Sequence, residues 1–154
     1  MRISKLAVFA IGLWLISAAL FAWKFINGST SQGSDGRTAI ELSTGERDLV
    51  LSEMRTMLMA VQGITQGLAQ EDKQRIAAAA RQAGSAAAAD VNPVLMTKLP
   101  MDFKKLGMSM HGDMDALAAA AEQGEDKVAL ERRLGELLNK CTACHSAWQL
   151  KAAN

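Results

Sequence analysis

Apolar positions along the chain fall into one unbroken block followed by four periodic stripes. The block, LAVFAIGLWLISAALFAW, is uncharged from Leu6 to Trp23. As a helix its 18 residues reach ~27 Å, close to the ~30 Å hydrocarbon thickness of a bilayer. Lys24 can snorkel to the interface and carry the span to Ile26, with Trp23 and Phe25 at the far interface. A small-residue stretch, Ser17-Ala18-Ala19, also allows cleavage as an export signal, although the cut leaves the greasy end LFAWKFI. Residues 1–26 are therefore expected to be a membrane anchor or a signal sequence, and either one exports the remainder of the chain.

Residues 27–40 contain NGSTSQGSDGR, a polar Gly/Ser-rich run that reads as a flexible linker. Residues 41–154 read as four helices, with no alternating strand pattern. The first opens at Ser43, whose spacing to Glu46 makes a capping box, and runs to about Gln70. Its apolar positions are Val50, Met54, Met57, Val61, Ile64 and Leu68, at steps of four and three. The second starts near Asp72 and continues through KQRIAAAARQAGSAAAA, with an interior face almost entirely of alanine. DVNPVLMTKLP is the one substantial loop. The third helix begins at Pro100 and carries Phe103, Leu106, Met110, Met114, Leu117 and Ala121. Gly124 ends it, and Asp126 can cap the fourth, which carries Leu130, Leu134, Leu137, Cys141, Cys144 and Trp148. The expected fold is all-α, an antiparallel four-helix bundle preceded by a single N-terminal transmembrane helix.

Composition adds little to that picture, but charge adds an orientation. Formal net charge is +1, which argues against a nucleic-acid binder. Residues 1–26 hold Arg2, Lys5 and Lys24 and no acid, whereas the remainder has 14 basic and 16 acidic groups. Positive charge ahead of the span places the N-terminus in the cytoplasm and the rest outside it.

The candidate chemistry sits almost at the end of the chain. Cys141-Thr142-Ala143-Cys144-His145 is C-x-x-C-H, the attachment signature of haem c, and no other cysteine exists. Two thiols add to the two vinyl groups of one porphyrin edge, and the next histidine ligates the iron from below. Both cysteines continue the apolar seam of their helix, so a group bonded to them enters the core. A thioredoxin-like pair needs a strand before the motif and a helix opening at it. A disulfide at this spacing closes a loop too small to stabilise much. Adjacent Cys and His suit tetrahedral zinc poorly.

With C-x-x-C-H in the last of four helices and an aromatic residue, Trp148, soon after it, the chain resembles the class II c-type cytochromes, the cytochrome c-prime family. The resemblance covers roughly residues 41–152; the basic residue usual after the aromatic corresponds only loosely to Lys151. The membrane anchor departs from the soluble members. The resemblance implies one covalent haem c, held by Cys141 and Cys144 with His145 as proximal ligand. It also divides the possible functions by what faces the iron from the first helix. A methionine there implies a six-coordinate, low-spin electron carrier; an apolar residue implies a five-coordinate protein that binds NO or CO.

SEMRTMLMAVQG offers Met54, Met57 and Met59. Met59 lies ~140° around the helix from Met54, off the seam, while Met54 and Met57 both point inward. In the methionine-ligated relatives the ligand precedes the end of the first helix by about four turns, so the resemblance, counted back from the LAQED turn, implies Met54, with Met57 as the alternative and plain core filling the reading without a ligand. Arg55 is a possible propionate contact, equally a solvated surface residue. His111, one position from the Met110 stripe, is expected at the surface or boundary, with a distal-ligand role as the lesser alternative. The implied protein is not an enzyme but a monohaem electron carrier at the periplasmic face of a bacterial inner membrane, or soluble in the periplasm after cleavage. Its partners are membrane-associated redox proteins, with a homodimer possible.

Overall fold

The computed structural model of the chain describes residues 4–89 and 91–153. Arg2 of the basic start and Asp90 at the head of the expected loop lie outside the described residues. The helix α1 (Lys5–Asn27) is capped by Ser4, whose hydroxyl accepts from the Ala7 amide. None of its residues is buried, and its mean hydropathy of 2.2 makes it long and apolar enough to cross a membrane or to act as an export signal.

The segment after α1 differs from the expected flexible linker. Its residues form β1 (Thr30–Gln32) and β2 (Thr38–Leu42), an antiparallel pair in which Thr30 lies opposite Ile40. On its other edge β2 pairs in parallel with β3 (Trp148–Ala152), placing Thr38 opposite Trp148 and Leu42 opposite Ala152. The expectation of no strands is therefore wrong. Ile40 and Leu42 are fully buried, and their backbone groups find partners in the C-terminal strand rather than in water.

This segment is also tied to the helices. Gly28 has φ +70°, and a Cβ there would lie 2.5 Å from the Lys98 carbonyl oxygen. The Ser29 amide donates to that same carbonyl at 2.7 Å. Lys104, only 6 % exposed, donates to the Phe25 carbonyl at 2.6 Å and the Met96 carbonyl at 3.1 Å. Its ammonium stands 3.5 Å above the centre of the Phe25 ring.

Long helices make up most of the remainder. α2 (Thr44–Gln70) begins with the expected capping box at Ser43 and Glu46, and ends where Glu71 turns left-handed. The expected continuous second helix breaks. α3 (Lys73–Gln82) stops before Gly84, and only a 3-10 turn, Ser85–Ala88, comes after it. Asp115 holds that break open by accepting from the Ser85 amide at 2.8 Å. The expected loop contains a short helix, α4 (Pro93–Lys98). α5 (Met101–Glu122) and α6 (Lys127–Ala147) complete the helices, α6 capped by the Asp126 carboxylate.

α2 packs on α3, α3 on α5, α5 on α6, and α6 returns to α2. Ile64, Ile76, Met114, Leu117, Leu130 and Leu137 fill the space between them. The alanine face of α3 turns inward: a Cβ on Gly63 of α2 would come within 2.7 Å of Ala79 Cβ. A second cluster, Ile40, Leu42, Val50, Leu95 and Leu99, lies under the sheet and is flanked by Met54, Phe103 and Trp148.

Lys98 seals the junction by pairing with Glu46 at 2.7 Å. That pair, together with the Ser43 cap, pulls the Glu46 carboxyl from 4.5 to about 2. A depressed carboxylate stabilises the fold above its unfolded value and loses that contribution as pH falls through the folded one. Glu46→Gln is expected to cost about 1 kcal/mol at neutral pH. It should also flatten the loss of stability between pH 4.5 and 2, as read by denaturant unfolding across that range.

Candidate haem site

The leucine seam of α6 ends one turn before the motif. Leu130, Leu134 and Leu137 are buried, whereas Cys141 and Cys144, next on the same face, are half-buried free thiols. They face a cavity of about 510 Å³ walled by α2, α5 and α6. Val50, Met54, Met57 and Val61 come from α2, Phe103, Leu106, Met110 and His111 from α5, and Leu138, both cysteines and His145 from α6. Close-packed interiors hold few voids larger than a water molecule. An apolar space of this size is in the range of ligand pockets.

A second cavity of about 280 Å³ adjoins it and is lined by Arg37, Arg47, Gln149 and Trp148. Leu51, Met54, Phe103, Cys144 and His145 border both spaces. Phe103 and Trp148 meet edge to face there, ring centres 5.7 Å apart. Arg37 reaches from the loop between β1 and β2, donating to the carbonyls of His145 at 3.1 Å and Trp148 at 3.3 Å. It thereby satisfies carbonyls that the end of α6 leaves free. Asp35 pairs with Arg37 at 2.6 Å, and those hydrogen bonds hold its carboxyl below the usual range.

The cavity wall shifts several protonation equilibria. Burial pushes both thiols up, and for Cys144 the neighbouring Cys141 adds to the shift. Burial also raises the Glu53 carboxyl, which His111 partly offsets.

The sequence-predicted residues are brought together. Cys141, Cys144, His145, Met54, Met57 and Arg55 all line the first cavity, while Met59 is 58 % exposed on the far side of α2. Arg55 is exposed at the rim, and Arg47, which no sequence pattern singled out, lines the second cavity. His111 is corrected from boundary to interior. It is 6 % exposed, with Nδ1 2.8 Å from the Ala83 carbonyl oxygen that the early end of α3 leaves free. Arg37 gave no local signal, since its role depends on pairing between the two ends of the domain.

Two thiols on one helix face, a histidine beside them and an apolar space in front fit the donor chemistry of haem c. The family model described as Cytochrome C' matches residues 96–149, which include the motif and α5 but not Met54. That match supports a cytochrome c-prime-like chain and, with it, a haem cofactor. No curated protein and no solved structure matches the chain.

Removing the Arg37 side chain should loosen the end of α6 and the start of β3. Arg37→Ala is expected to lower stability by about 1–3 kcal/mol, the cost of leaving acceptors unpaired. Hydrogen exchange should then rise first at Gln149 and Leu150; unchanged protection there would refute the capping role.

Proposed function

We propose that this chain is a monohaem c-type cytochrome carrying single electrons at the periplasmic face of a bacterial inner membrane. Cys141 and Cys144 hold the haem through thioethers, His145 is the proximal ligand, and Met54 closes the opposite face. The observation that carries the ligand choice is shared position. Met54 is the one methionine that borders both cavities, and His145 and Cys144 border the same two. Met57 reaches only the first cavity and packs against the main core.

Haem iron supplies the electron couple, and a thioether opposite imidazole favours its ferrous state. The chain's own residues do the rest. α2 and α5 exclude water with Val50, Leu106 and Met110. Arg47 places positive charge beside the second cavity, where a propionate can be met; Arg55 stands at the rim of the first. A closed coordination sphere in a rigid apolar pocket keeps rearrangement small during electron transfer, a role in carriage rather than in catalysis.

Retention of α1 as an anchor rests on its length and apolar composition. Lys104 binds the Phe25 carbonyl and ring, so the apolar helix runs into the domain through a packed joint. Anchoring confines the carrier beside membrane-bound redox partners and raises its effective concentration there.

Optical spectroscopy tests the central statement. The purified holoprotein should show low-spin bands in both oxidation states and no spectral change under carbon monoxide. High-spin ferric bands with rapid carbon monoxide binding would instead make it a gas-binding protein. The full chain should also stay with membranes through an alkaline wash, whereas cleavage after Ala19 would release it.

A further inference from the structure

One polar group in the first cavity is not used by the function proposed above. His111 projects from α5, is 6 % exposed, and lines the space that also receives both cysteines and His145. Its Nδ1 lies 2.8 Å from the Ala83 carbonyl oxygen. A carbonyl can only accept, so Nδ1 carries the proton and the lone pair of the neutral ring sits on Nε2. Among the described residues Nε2 has no hydrogen-bond partner. Glu53 of α2 lines the same cavity, and the two make no hydrogen bond.

Nε2 is not among the buried atoms that lack a partner, so with no hydrogen bond it keeps accessible surface and is free to form a ligand bond. A ring whose second nitrogen donates to a backbone carbonyl is the arrangement that fixes metal-ligating histidines and raises their basicity. The break in the alanine-rich stretch is what frees that carbonyl, because α3 stops at Gln82. His111 and Met54 come from the two helices that pack against α6, which carries His145.

We propose that His111 Nε2 is a reserve axial ligand for the haem iron, taking the sixth position when the Met54 thioether leaves it. This rests on the haem reading above. The exchange breaks one iron–sulfur bond and forms one iron–nitrogen bond, with no electron or proton transferred. The sixth site then stays closed when the thioether leaves it.

Three holoproteins decide it: wild type, Met54→Ala, and Met54→Ala/His111→Ala, each read by optical and electron paramagnetic resonance spectra. Met54→Ala should lose the methionine charge-transfer band yet stay low-spin with a bis-imidazole signature. The double variant should become high-spin and bind carbon monoxide rapidly, and added imidazole should restore its low-spin spectrum, showing an intact pocket. A high-spin Met54→Ala spectrum overturns the inference while leaving Met54 as ligand. A wild-type spectrum lacking the methionine band and unchanged in Met54→Ala overturns the Met54 reading. In that case a high-spin His111→Ala variant would still carry His111 as an axial ligand.

Discussion

Helix α6 carries one seam in which Leu130, Leu134 and Leu137 give way to Cys141 and Cys144, and the rest of the site depends on that change. Leucines fill the space between α2, α5 and α6; two short thiols do not. The short thiols form part of the wall of a cavity of about 510 Å³, lined by Leu106 and Met110 on one side and Met54 and Met57 on another. Side-chain packing therefore closes the space between these helices at the leucine end and leaves it open at the cysteine end, where a bulky apolar group fits. Folding and cofactor capture are in this sense the same packing problem.

Holding the open end in shape requires a restraint that the helices do not provide. β2 and β3 supply it by pairing in parallel, so the strand leaving the motif is hydrogen-bonded to the strand that precedes α2. Ile40 and Leu42 bury themselves beneath this pairing, and Arg37 caps the last turn of α6 from the adjoining loop. The residues flanking the motif are thus fixed from both sides, by core leucines upstream and by sheet bonds downstream. Such rigidity is what a pre-organised metal ligand needs.

Local signals carried most of the helices. Ser43 with Glu46, Asp126 and Gly124 mark real helix ends, and the four-three spacing of apolar residues identifies the buried faces of α2, α5 and α6. Cys141, Cys144, His145 and Met54 could be placed on one cavity because helical phase is a local property. The sheet was not legible in this way. Its strands are short, and TAIEL gains its partner WQLKA from more than a hundred residues away. Composition misleads there, since Gly and Ser around a buried Ile40 resemble a solvated tether. His111 was missed for a related reason: its burial results from the early end of α3 at Gln82, and an unbroken run of alanines gives little warning of it.

These long-range ties connect the apolar helix to the chemistry. Lys104 lies one position from Phe103, a wall of both cavities, and its ammonium grips the Phe25 carbonyl and ring at the end of α1. Ser29 and Gly28 press on Lys98 and Pro100 at the start of α5, while β2 pairs with the strand just past His145. Rotation of α1 against the domain would have to break the buried lysine's two hydrogen bonds, each a charge-assisted contact. A tether of Gly and Ser would let the cavity face any direction. The joint that is built instead gives the cavity one orientation relative to the apolar helix.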